Sequence, residues 1–178
     1  MAAAIEHNLA LPVELEQLFQ AHHRRALKAA YRITGSMSDA EDVAQTVFLR
    51  LANSGAAREA MQSPESYIYR SAINAALDLI RKRQREGAVP LELAHPIRGG
   101  RGPDRECESG ELRVWLRKAL TELSPRSAEM FVLRYVEDYS NREIARMMNT
   151  SQAVVAVMLH RARARLRNEF NAFIRGMK

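Results

Sequence analysis

Residues 87 to 110 read GAVPLELAHPIRGGRGPDRECESG and hold five of the chain's eight glycines and three of its six prolines. Glycine is costly to order and proline blocks helix interiors, so a run this long and this rich in both does not suit a loop inside one compact domain. On either side, apolar residues recur at helical spacing, and no stretch alternates as a strand does. The fold expected is all-α: two small helical domains at 12–86 and 111–175, joined by a flexible linker at 87–110.

In the first domain, Leu15, Leu18, Phe19, Ala26, Ala29, Ala30 and Ile33 keep helical spacing, and Gly35 ends the helix. His22 and His23 are adjacent and so diverge around the helix, which suits a solvated or partner-facing pair better than a metal site. Ser38 and Glu41 form an expected capping box for a second helix with Ala40, Val43, Ala44, Val47 and Leu51 inward. Asp39, Glu41, Asp42 and Gln45 form its acidic and polar face. Residues 53–62 carry weak signals of a loop or short helix. Ser63-Pro64-Glu65 then starts a third helix. Ile68, Ala72, Ala75 and Leu79 face its core, Tyr67, Tyr69 and Asn74 fall on other faces, and Arg81, Lys82, Arg83 and Arg85 crowd its end. Cations complement a helix C-terminus, so a solvated end explains the cluster. Rings to stack on bases, an amide to read an edge and cations to hold phosphates also suit single-stranded DNA.

In the second domain, helices are expected from about Ser109, with Leu112, Trp115, Leu116, Ala119, Leu120 and Leu123 on one apolar face. Trp115 reads as core. Ser124-Pro125 starts the next helix, with Ala128, Phe131, Val132 and Tyr135 inward. Ser140 and Glu143 form a capping box, Asn149 stops that helix, and Ser151 caps another with Val155, Leu159, Ala162 and Leu166 as its stripe. Phe170 and Phe173 close the last helix on the core. A short helix, a tight turn and an arginine-bearing second helix make the helix-turn-helix pattern, whose second helix enters a DNA major groove; an ordinary helical hairpin with a solvated face shares it.

The formal net charge of +6 and pI near 9.9 suit a polyanionic partner, nucleic acid or an anionic membrane. No apolar run reaches the length of a membrane span, so membrane insertion is not expected. The single cysteine, Cys107, permits no internal disulfide, in keeping with a reducing cytoplasm. No acid–base pair, nucleophile, metal spacing or nucleotide-binding glycine loop stands out, so neither an enzyme nor a cofactor is expected.

From about Leu15 to Arg167 the chain resembles the extracytoplasmic-function (ECF) sigma factors of bacterial RNA polymerase, in the sigma-70 superfamily. DAEDVAQTVFLRL looks like the family's region-two helix, SYIYRSAINAALDLIRKRQR like its melting and recognition helix, and LRYVEDYSNREIARMMNTS with LHRARARLR like region four. Their order and spacing, with the linker between, are more specific than a lone helix-turn-helix.

The resemblance implies a non-catalytic initiation factor that binds core RNA polymerase and promoter DNA; an anti-sigma factor is a further partner it allows. Asp42, Gln45 and Thr46 would dock on the polymerase. Tyr67, Asn74, Arg81, Lys82, Arg83 and Arg85 would hold the separated strand of the downstream element. Gln152, Ala153, Ala156, Val157, His160, Arg161, Arg163 and Arg165 would meet the upstream element.

Three positions depart from the family pattern. Thr46 stands where Glu is usual, and Tyr67 where Trp is frequent. The recognition helix opens QAVVAVM, where the family places polar and basic residues. Ala156, Val157 and Met158 cannot form bidentate contacts to guanine, which leaves Gln152, His160 and Arg161 for base edges and methyl contacts for thymine. Upstream readout is therefore expected to be weak or A/T-leaning. The alternative is a sigma-like interaction protein that binds an anti-sigma factor or polymerase without reading DNA, using Val154, Val157 and Met158 as a protein-binding patch.

Overall fold

A computed structural model describes residues 13–53, 63–87 and 103–176. Among them are seven helices and no strand: α1 Val13–Thr34, α2 Met37–Asn53, α3 Pro64–Arg85, α4 Pro103–Thr121, α5 Pro125–Tyr135, α6 Asn141–Met147 and α7 Gln152–Gly176. Residues 54–62 and 88–102, on which the expected loop and most of the expected linker fall, lie outside the described residues.

In the N-terminal half, α1, α2 and α3 pack against one another. Ala29, Ala30 and Ile33 of α1, Val43, Val47 and Leu51 of α2, and Ile68, Ala72, Ile73 and Leu77 of α3 are buried. Small alanines and the larger Ile73, Leu77 and Leu51 are buried together where these helices meet. Gly35 ends α1 in the left-handed conformation, at φ 76°, and its N–H donates to Tyr31 O at 2.7 Å. The next cap differs from the expected one. Ser36 Oγ, not Ser38, accepts a backbone N–H, that of Asp39 at 3.3 Å, because α2 starts two residues ahead of the capping box read from Ser38 and Glu41. At the start of α3, Ser63 caps as expected, accepting from Ser66 N at 3.3 Å.

In the C-terminal half, α7 packs on α5 and α6 through Val155, Leu159, Ala162 and Leu166, all buried as the spacing required. The Ser140–Glu143 capping box is complete: Glu143 N donates to Ser140 Oγ at 3.2 Å, and Ser140 N donates to Glu143 Oε2 at 2.8 Å. Asn149 stops α6 at φ 47°, and Thr150 N donates back to Ala145 O at 2.9 Å. Ser151 Oγ then accepts from Val154 N at 3.2 Å to open α7. Trp115 packs on Phe170, with ring centroids 5.0 Å apart, and on Phe173 at 6.0 Å. Leu112 and Tyr135, expected inward, are exposed; the Tyr135 ring lies tilted against Phe131, with centroids 4.7 Å apart.

One further expectation is corrected. Helix α4 begins at Pro103 rather than near Ser109, so the end of the expected linker is helical. Proline's fixed φ and missing donor suit a first helical position, where a breaker count sees only disruption. The two helical domains also touch one another. Helix α3 lies against α4 and α5, and buried residues of both halves form one continuous cluster.

Candidate nucleic-acid and polymerase interface

Because α7 buries one stripe, most positions on its opposite side face solvent. Gln152, Ala153, Val154, Ala156, Val157, His160, Arg161, Arg163, Arg165 and Arg167 are all exposed. This surface is apolar at its start and cationic beyond. Val154 and Val157 are 43% and 49% exposed. Arg165 is shared between Glu122 at 3.6 Å and Glu169 at 3.3 Å, so it meets DNA less freely than Arg161 and Arg163. At the opening of α7, a shallow recess is lined by Arg142, Arg146, Asn149, Ser151 and Gln152.

On α3 the structure divides the expected strand-binding set. Tyr67 is exposed, and Asn74, two turns on along the same face, is half-buried. Lys82 and Arg85 are exposed; Lys82 pairs with Glu86 at 3.9 Å. Arg81 is mostly buried, with Nη1 donating to Asp78 Oδ1 at 3.0 Å and Nη2 buried without a hydrogen-bond partner among the described residues. Arg83 donates through both terminal nitrogens to the two carboxylate oxygens of Asp39. Asp39 is only 5% exposed and so leaves the acidic surface of α2 to which its sequence neighbours assigned it. A carboxylate buried at this depth needs a partner charge, and Arg83 supplies it.

The rest of the polar face of α2 is as expected: Glu41, Asp42, Gln45 and Thr46 are exposed, extended by Leu49 at 56% exposure. His23 lies against Phe19 and Phe48, with ring centroids 4.5 Å and 6.0 Å away, which makes it part of an aromatic patch. Among the described residues, no group of His, Cys, Asp or Glu could hold a metal ion.

Spacing alone did not mark the charged residues between the halves. Tyr69, expected on an outer face, is 4% exposed and donates its hydroxyl to Glu137. Arg32 also donates to Glu137, Arg25 to Glu65 and to the Tyr139 hydroxyl, and Arg70 Nε to Glu129 Oε1 at 2.6 Å. Arg70 Nη1 donates to Met147 O at 2.7 Å, and Arg117 Nε to Ile33 O at 3.0 Å. Burial, reinforced by the Glu137 carboxylate, pushes the Tyr69 phenol well above its ordinary range. Burial also raises Tyr139. Glu143 is held below the usual carboxylate range by its hydrogen bonds from Ser140. The one available signal for the seam was negative: Glu129 sits between Ala128 and Met130, in the midst of an otherwise apolar run.

Two family models match the chain, Sigma-70 region 2 over residues 18–86 and Sigma-70, region 4 over residues 113–166, together well over half of it. The ECF RNA polymerase sigma factor SigM of Mycobacterium tuberculosis is 28% identical over 151 residues, covering 85% of this chain and 74% of that protein. SigW of Bacillus subtilis is 26% identical over 148 residues, covering 78% and 79%. The RNA polymerase sigma-E factor of Streptomyces coelicolor is 29% identical over 161 residues, covering 90% and 88%. In fold the chain is similar to the sigma factor RpoE solved with the anti-sigma factor NepR from Bartonella quintana, at TM-score 0.54 and 19% identity over 90% of this chain and 98% of that one. With regions two and four in order and similarity along most of its length, this chain belongs to the sigma-70 superfamily as an ECF-type RNA polymerase sigma factor, a non-enzymatic factor of transcription initiation.

Proposed function

We propose that Asp42, Gln45 and Thr46 on α2 dock this sigma factor on core RNA polymerase, with Leu49 adding apolar contact, and that α3 and α7 hold promoter DNA. Tyr67 stacks on a base of the separated strand, Asn74 contacts a base edge, and Lys82 and Arg85 hold phosphates. Arg81 and Arg83 are withdrawn from that role, because Asp78 and Asp39 engage them. On α7, Gln152, His160 and Arg161 meet base edges, Ala153, Ala156 and Val157 meet thymine methyls, and Arg163 and Arg165 position the helix on phosphates. The functional units are 12–86 and 111–175, with 87–110 between them, although α4 already begins at Pro103. The cytoplasm, where the polymerase works, is the expected location, and among the described residues no helix is long and apolar enough to cross a membrane. An anti-sigma factor is a further candidate partner, as the RpoE–NepR complex illustrates for that protein.

The observation that carries the reading is the division of α7: the stripe is wholly buried and every DNA contact proposed on α7 is exposed. Run-off transcription with core polymerase and fragmented source DNA tests it. New starts that share an A/T-leaning upstream element are expected. A guanine-containing upstream consensus refutes the methyl readout, and polymerase binding with no new starts refutes the DNA-reading role itself.

A further inference from the structure

The row of α7 that stands farthest from its buried stripe carries no charge. With the periodicity of an α-helix, Ala153, Val157 and Ala164 fall one behind another, opposite Val155, Leu159, Ala162 and Leu166. All three are exposed. Val154 lies to one side of the row, in line with Arg161, and Ala156 to the other, in line with His160. From Gln152 to Leu159 the one side chain with a strong hydrogen-bonding group is Gln152, at the very start. The only carboxylate on α7 is Glu169, toward the far end, where Arg165 engages it.

Such a row suits one feature of the major groove. Base edges there present donors, acceptors and, on thymine alone among the four ordinary bases, a methyl group at C5. Alanine and valine offer nothing to a donor or an acceptor, and pressing them on one leaves it unpaired as water is driven out. Against a methyl, both partners bury apolar surface. The β-branch of valine holds one rotamer in a helix, so Val154 and Val157 lose little freedom on contact. His160 and Arg161 on the flanks, with Arg163 and Arg167 beyond, give the charge complementarity that seats the helix against a polyanion. From Ala153 to Val157 the row runs about 6 Å along the axis, roughly two base-pair steps. Cytosine methylated at C5 carries its methyl at the same place in the groove as thymine, and presents an N4 amino group where thymine presents O4. The start of α7 has no carboxylate to favour that amino group, and the row itself has no donor to favour the carbonyl. It can detect the methyl without telling which pyrimidine bears it.

We propose that Ala153 and Val157, flanked by Val154 and Ala156, form a reader of C5-methylated pyrimidines that accepts 5-methylcytosine as it accepts thymine. Cytosine methylation within the upstream element then strengthens promoter binding by this sigma factor. The proposal rests on the DNA-reading role given to α7 and extends it to a modified base.

The test is binding of the holoenzyme, core polymerase with the full chain, to a promoter found by run-off transcription, read by fluorescence anisotropy. Each thymine of the upstream element is replaced in turn by uracil, by cytosine and by 5-methylcytosine, with guanine opposite the last two. One methyl group withdrawn from apolar contact changes affinity about fourfold. Uracil is therefore expected to weaken binding about fourfold at the positions facing Ala153 and Val157, and 5-methylcytosine to bind about fourfold more tightly than cytosine. The same replacements between the two promoter elements leave binding unchanged. Val157→Asn, at an exposed position, reduces the gain from cytosine to 5-methylcytosine. Arg163→Gln instead weakens binding to every version alike, because a phosphate contact carries no sequence. Promoter binding indifferent to uracil and to 5-methylcytosine overturns the reader while leaving α7 on the DNA. A methylation gain that survives unchanged in Val157→Asn comes from DNA shape rather than from this row, and overturns it too. Loss of all dependence on the upstream sequence fails the DNA-reading role itself, and the reader with it.

Discussion

Replacing Arg83 with Gln separates a structural arginine from a DNA-holding one on the same helix end. Arg83 grips the buried carboxylate of Asp39 through both terminal nitrogens, so the substitution strands an acid with a side chain only 7% exposed. Breaking a fully buried pair costs about 3–5 kcal/mol. Arg83 is itself 43% exposed, so water reaches the site and the loss falls to roughly 2 kcal/mol. For a chain of this size that lowers the melting temperature by roughly 4–8 °C, readable by circular dichroism. Asp39→Asn is destabilised similarly, and the double variant loses less than the sum of the two, because both single changes break the same pair. Promoter binding by the holoenzyme behaves in the opposite way. Arg83 arrives already neutralised, so Arg83→Gln leaves the salt slope unchanged, whereas Arg85→Gln reduces it by roughly 0.7–0.9 through one lost phosphate contact. An Arg83→Gln protein with wild-type melting and a slope reduced like that of Arg85→Gln refutes the assignment.

Three further outcomes are expected. Ser140→Ala removes the cap of α6 and costs about 1 kcal/mol in a urea titration. Because Glu143 is held below its unfolded value, its stabilising contribution is present above the usual carboxylate range and disappears as pH falls through the lowered value; in Ser140→Ala that acid-side loss is smaller. Tyr69 works in the other direction: its phenol is raised, so the unfolded chain ionises first and stability declines from about pH 10 upward, a decline that Tyr69→Phe flattens. Asn149→Val forces a β-branched residue to φ 47° and lowers stability by about 1–2 kcal/mol, while Asn149→Gly is tolerated, as thermal melts of the pair would show.

Much of the fold is legible because it is local. The stripes of α2 and α7, the caps at Ser63, Ser124, Ser140 and Ser151, and the stop at Asn149 each depend on residues within a turn or two, where spacing and hydrogen-bonding capacity are readable directly. The exposed face of α7 follows from the same stripe. The failures at Ser38 and Pro103 are local as well: serines two apart compete for one cap, and a proline both breaks helices and begins them.

The amino-acid order by itself determined the helices, their capped ends and which face of α2 and of α7 is offered to partners, since backbone hydrogen bonds and side-chain periodicity act over a few residues. Only the tertiary structure decided which charges are free. Asp39 meets Arg83 across 44 positions, Tyr69 meets Glu137 across 68, and Arg32 meets Glu137 across 105. A charge has no preferred partner until packing removes water and lowers the local dielectric, and then its strongest attraction is to whichever opposite charge the fold has placed beside it.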